Sequence, residues 1–261
     1  PEEMVGEITD EQYSRSVEYT LARTRFHSIH AIWGSLFLVL FFATDLFPAL
    51  YGMVLSTLGT SVYAQGAFLI ITGFVISIPD LPFELWSQFR IEERFGFNKS
   101  SFKLWLVDQV KGMALGMIIG YPILVLVLSL VGWMGANWWI WAFALIFTLQ
   151  IFLLILFPRY LLPLFNKLEN LPDGSLKERL VTLAKKVSFP VARIQVMDGS
   201  KRSGHSNAFF TGFGKFRHIV LFDTLIDQLE EEQVEGVLAH EIGHYCKGHI
   251  FKMLFLQTGF L

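Results

Sequence analysis

The stretch His240-Glu241-Ile242-Gly243-His244 carries the most chemistry in this chain. Its two histidines stand four apart within Glu230 to His249, a segment whose residues favour a helix, and residues four apart share a helical face. Two imidazoles on one face can hold a single metal ion. His-Glu-x-x-His on a helix is a zinc pattern, with His240 and His244 as ligands of one Zn2+ and Glu241 beside them as the general base that takes a proton from water. Chance also produces such a pentapeptide, and its histidines are then packed or solvated like any others. Hydrolytic zinc ordinarily takes three protein ligands and a water. Seventeen residues follow His244, and apart from Cys246, His249 is the one good ligand type among them. Five positions turn a helix by about 500°, so His249 faces elsewhere. The third ligand is therefore expected outside this chain. The single cysteine, Cys246, is read as a small buried thiol rather than a ligand.

A second polar stretch precedes the motif: Ser203-Gly204-His205-Ser206-Asn207-Ala208-Phe209-Phe210. An extended substrate can join an exposed sheet edge through main-chain hydrogen bonds, with Asn207 orienting it near the scissile carbonyl. The alternative is an ordinary polar strand entry in which His205 and Asn207 serve the turn. The residues alone leave both open.

The elements that would hold these groups divide into two kinds. Of the 261 residues, 53% are hydrophobic and only 17% charged, unlike a soluble globule. Four apolar runs, near 29–50, 64–85, 113–134 and 138–157, each approach the roughly twenty residues that cross a bilayer as a helix. Trp133, Trp138, Trp139 and Trp141 cluster at one end of the last two, as interfacial belts do. The polar segment Glu2 to His30 reads as a helix at the membrane surface. A formal net charge of −2 leaves no basic footprint for nucleic acid. Residues 159–249 are mixed in character: a helix from Ser175, read as its N-cap, to Val187 and stopped by Pro190; strands at Ile194–Met197, Asn207–Phe213 and His218–Phe222; a turn at Gly214–Arg217; a short helix at Thr224–Leu229; and the motif helix.

Loop charges predict an orientation. The segment before the first span carries Arg15, Arg23 and Arg25, and the loop 88–111 carries Arg90, Arg94, Lys99, Lys103 and Lys111. The alternate loops, 51–63 and 135–137, contain no Lys or Arg. The positive-inside rule then puts the basic segments and the metal helix on the cytoplasmic side. The sequon at Asn98 falls on that side and is read as chance. Asp45 is expected at the interface, and Asp80, between two prolines, either there or in a polar cavity.

Several longer stretches resemble the type I CAAX prenyl endopeptidases, integral-membrane zinc metalloproteases. They are Ser200 to Gly212, Arg217 to Leu225, the His240–His244 motif, Ile91 to Lys99, and Pro163–Lys167 with Leu171–Gly174. The resemblance implies that His240 and His244 bind zinc, that Glu241 is the general base, and that Asn207-Ala208 align substrate backbone. The family's Asn-Ala-x-x-x-Gly pattern is here Asn207 to Gly212. A third zinc ligand, a Glu on a later helix, is implied to come from a missing remainder of the enzyme, so the fragment alone is expected to be inactive. His205 is a further candidate, as a stabiliser of the oxyanion.

The expectation is therefore a polytopic α-helical membrane protein with a small α+β zincin-like metallopeptidase domain. Residues 1–158 form the membrane region, 159–249 the peptidase domain, and 250–261 the start of a further membrane helix. The chain is expected to begin and end inside a longer reading frame. The expected cofactor is one Zn2+, and the expected partners are the lipid bilayer and a peptide or protein substrate, prenylated or not. The competing functions are a quality-control membrane metalloprotease and a membrane binding module with an inactive site.

Overall fold

A computed structural model of the chain describes residues 9–189, 191, 193–211, 218–248 and 252. They fall into two compact units, one of residues 1–98 with 109–132, the other of residues 99–108 with 133–261.

The first unit is helical. Helix α1 runs Asp10–Ala43, started by a capping box in which Thr9 and Gln12 satisfy each other's backbone N–H. The surface helix and first span expected from the sequence are thus one continuous helix up to Ala43. Polarity changes along its length, but nothing between Thr9 and Thr44 breaks the backbone ladder. Thr44 ends it, its Oγ donating to the Leu40 carbonyl at 2.7 Å. Helix α2, Leu46–Leu58, then occupies most of what reads as a loop, closed by Gly59 at φ +82°. Helix α3, Val62–Ser77, is capped by the Ser61 hydroxyl. A 3-10 turn, Ile78–Asp80, leads into α4, Leu81–Trp86, and a π-turn, Ser87–Glu92. The two prolines at 79 and 82 sit in first turns, where their missing N–H costs little.

Asp80 and Asn98 both have polar partners within this unit. Asp80 accepts from His30 at 2.8 Å, and the His30 ring stacks on Phe83. Asn98 is 9% exposed, hydrogen-bonded to Gln88 and to Glu93 at 2.6 and 2.8 Å, so the sequon side chain is used inside the protein.

Helix α5, Phe102–Met134, contains Pro122, and a 3-10 turn at Gly135–Asn137 separates it from α6, Trp138–Leu156. Among the described residues, three helical stretches are long and apolar enough to cross a bilayer: Asp10–Ala43, Val62–Glu92 and Phe102–Leu154. The last is 53 residues, about 80 Å of helix at 1.5 Å per residue, and the turn at Gly135–Asn137 divides it. Leu36, Val39, Phe42, Ile118, Trp133 and Trp139 are exposed. Helices that are apolar and unburied on most sides need lipid rather than water around them.

In the second unit, α6 ends in a π-turn, Phe157–Leu161, and α7, Leu162–Phe165. A four-stranded sheet follows, of β1 Leu168–Asn170, β2 Arg193–Met197, β3 Ala208–Thr211 and β4 His218–Phe222, in the order β1-β2-β4-β3. Among the described residues, only the β2–β4 pair is parallel. Strand β1 carries no sequence signal: three residues, Leu-Glu-Asn, are too few to show an alternation. Helix α8, Ser175–Lys186, is capped at Gly174 and not by Ser175, whose hydroxyl bonds Glu231 instead. It ends before position 190, with Ser188 left-handed at φ 53° and Phe189 buried. Pro190, the turn 214–217, Gly212 and, apart from Lys252, the apolar run from 250 lie outside the described residues. Short helix α9, Asp223–Gln228, leads into α10, Glu231–Cys246.

Within the first unit, α3 and α5 meet at Gly66, where an added Cβ would sit 2.7 Å from Val125 Cγ2, while nothing lies within 4 Å at Gly73 of the same helix. Gly66→Ala is expected to lower the thermal midpoint of the detergent-solubilised protein relative to Gly73→Ala, by a packing cost of about 1–3 kcal/mol. Equal midpoints would show that the contact is not a close one.

Candidate active site

Helix α10 is placed by its apolar side. Val234, Leu238 and Ile242, four apart, are at most 2% exposed and join one core with Leu180 and Ala184 of α8, Ala208 of β3, and Ile219 and Leu221 of β4. His240 and His244 each fall two residues beyond a buried position, about 200° round the helix, and both are exposed. Glu241 lies between these faces and is half-buried.

The two imidazoles converge. Nε2 of His240 and Nε2 of His244 are 3.1 Å apart, with the ring planes at 78°. Two nitrogens at that separation both lie within the ordinary Zn–N distance, about 2.0–2.1 Å, of a common point. Imidazole nitrogen is also a donor that zinc favours. The pair therefore fits one zinc ion. Among the described residues no third His, Cys, Asp or Glu joins it. His249 lies outside the described residues. Cys246 is exposed, contrary to the buried thiol expected: it follows the exposed His244 by two residues, as the last residue of the helix. No ligand role follows, since that offset turns it away from the pair.

The Asn207 stretch is fastened at both ends. The Asn207 carbonyl accepts from Phe222 N–H at 3.0 Å, and Asn207 Oδ1 accepts from Ala208 N–H at 2.8 Å. Thr224 Oγ donates to the His205 carbonyl at 3.0 Å, and Gln228 donates to the Gly204 carbonyl at 3.3 Å. His205 and Asn207 are exposed, and Ala208 is buried in the core that also holds α10. Strand β3, which begins at Ala208, ends the sheet order and packs on α10. The sheet edge and the histidine pair thus belong to adjoining elements.

Sequence reasoning missed the clamp upstream of this stretch. Asp198 Oδ1 accepts from Lys167 N–H at 2.7 Å, and Asp223 accepts from Ser200 N–H at 2.8 Å. Arg202 makes a two-pronged bond to Asp108 at 2.8 and 3.0 Å and a third bond to Asn166 at 3.2 Å. Arg202 and Asp108 are 94 positions apart, so no local pattern announces the pair. Gly199 is also required: an added Cβ would sit 2.6 Å from the Phe222 ring.

Comparison with known proteins bears on this arrangement. Residues 1–167 match the family model described as CAAX prenyl protease N-terminal, five membrane helices, and residues 170–261 match peptidase family M48. The chain belongs to the CAAX prenyl protease family. CAAX prenyl protease 1 of Saccharomyces cerevisiae is 38% identical to it, over 97% of the chain and 58% of the yeast protein. A homologue of that protease from Arabidopsis thaliana is also 38% identical, over 95% of the chain and 61% of the plant protein. The crystal structure of S. mikatae Ste24p superposes with a TM-score of 0.92 at 38% identity, covering 99% of the chain and 62% of that structure. The chain thus spans about six tenths of the length of these relatives. The family, a metallopeptidase one, makes this an integral membrane protein with a metal cofactor.

Arg202→Met removes a two-pronged ion pair whose side chains are each only 22% exposed, which is expected to destabilise the second unit by about 2 kcal/mol. Combining it with Asp108→Leu should restore part of the loss. A single variant that unfolds with the parent would show that the clamp holds nothing.

Proposed function

We propose that this chain is part of a zinc-dependent membrane endopeptidase that hydrolyses peptide bonds in CAAX-type C-terminal processing. The observation that carries the reading is the 3.1 Å convergence of His240 and His244 on a helix whose other side is buried, with Glu241 next to His240 in the chain. The match over both family models supports it.

In this reading His240 and His244 hold the zinc, and a residue beyond this chain supplies the third ligand. Bound zinc supplies Lewis acidity, lowering the pKa of a water and polarising the scissile carbonyl. Glu241 is the general base, taking a proton from the attacking water and delivering it to the leaving amine. An extended substrate adds to the outer edge of β3, with Asn207 and Ala208 fixing its register through main-chain bonds. His205 is assigned to the developing oxyanion. The substrates are peptides or proteins, prenylated or not, brought to the site at a bilayer.

The catalytic unit is assigned to the cytoplasmic side, on the lysine and arginine asymmetry between alternate loops. The exposed Cys246 makes this testable in a full-length protein otherwise free of cysteine. In sealed right-side-out vesicles a membrane-impermeant maleimide should leave Cys246 unlabelled until the membrane is permeabilised. Labelling of intact vesicles would reverse the orientation.

For the chemistry, Glu241→Gln in the full-length protein is expected to retain zinc and the parental melting temperature while peptide cleavage falls at least about a hundredfold. Cleavage at the parental rate would remove Glu241 from proton transfer.

A further inference from the structure

The sheet of the second unit has two faces, and the histidine pair is backed by one of them. Alternation along β4 sends Ile219 and Leu221 into the core shared with α10, and Val220 to the other side, against Leu162 of α7 and Met197 of β2. His218 has the parity of Val220, and Arg193 and Gln195 that of Met197. With Arg159, Asn166 and Lys167 these three line a recess of about 330 Å³. The sheet stands between this recess and α10.

Positive charge is in excess there. Lys167 is paired with Glu169 at 2.5 Å, and Asp198 also lies near it. Among the described residues the ion pairs include neither Arg159 nor Arg193. Both guanidiniums act on His218, whose pKa is held below the ordinary histidine value first by burial and then by Arg193 and Arg159. His218 Nδ1 and Gln195 Oε1 are 2.9 Å apart, and since that oxygen only accepts, Nδ1 carries the proton and fixes the Gln195 side chain.

We propose that this recess binds a phosphate group, gripped by the Arg159 and Arg193 guanidiniums, with Asn166, the Lys167 ammonium and Gln195, which His218 orients, around it. Two guanidinium forks suit a tetrahedral oxyanion. The position favours a lipid as the source. Helix α6 is apolar to its end at Leu156, and Arg159 follows three residues later in the π-turn, at the depth where a membrane helix meets headgroups.

The test uses the full-length protein in detergent. Phosphatidic acid binding is measured by native mass spectrometry, and inorganic phosphate binding by the shift in melting temperature. Three forms are compared: the parent, Arg159→Gln/Arg193→Gln, and Lys185→Gln/Lys186→Gln, which removes equal charge from α8. Phosphatidic acid affinity is expected to fall at least about tenfold in the arginine pair and to stay at the parental value in the lysine pair. If only the response to inorganic phosphate is lost in the arginine pair, the recess still binds phosphate, from a soluble source. Arg193→Gln alone gives the same comparison with less risk to folding, and Arg193→Lys, which keeps the charge, should lose less affinity than Arg193→Gln. Parental responses to both probes in all the recess variants would overturn the proposal.

Discussion

Burial of one side of a sixteen-residue helix governs what the second unit can do. Val234, Leu238 and Ile242 are held against the sheet and α8, and each contributes about 2–3 kcal/mol of burial that any rotation of the helix would forfeit. That fixes the angular position of every other residue on α10. His240 and His244 are exposed as a pair because they stand two positions from the buried series. Their mutual approach needs no further interaction, since a spacing of four on a fixed helix already brings the rings together.

The same core sets the relation of the helix to the strand beside it. Ala208 is buried with the α10 side chains, so strand β3 begins where the helix packs. Upstream, the chain from Asp198 to Asn207 has little apolar content of its own, and hydrogen bonds position it instead. Asp198, Ser200, Arg202, His205 and Asn207 are each tied to residues far away in sequence. A segment held by many polar ties offers its exposed side chains in defined places.

Much of this was legible in the sequence, for a physical reason. Helices α8 and α10 bury one face, so their apolar residues repeat at 3.6, while β4, buried on both faces, shows as the unbroken apolar run Ile219-Val220-Leu221, and both signals are visible without a structure. The His-Glu-x-x-His spacing is local for the same reason. Elements that rely on partners elsewhere left no such trace. Strand β1 pairs with β2 through its backbone, and the Arg202–Asp108 bond closes a long loop. In the membrane region, composition marked the apolar runs but not their ends. Helix α1 continues from polar into apolar residues because backbone hydrogen bonds are indifferent to that change. The exposure of Cys246 was not legible because a cysteine's usual burial depends on packing partners that composition does not name.

Every role assigned to the catalytic unit returns to the claim that His240 and His244 hold one metal ion. Zinc content measured by atomic absorption on metal-replete, full-length protein tests it directly, with His240→Ala as the comparison. The account predicts about one zinc per chain in the parent and near-complete loss in the variant. Zinc retained in full by a folded His240→Ala protein, or absent from the parent, would contradict it.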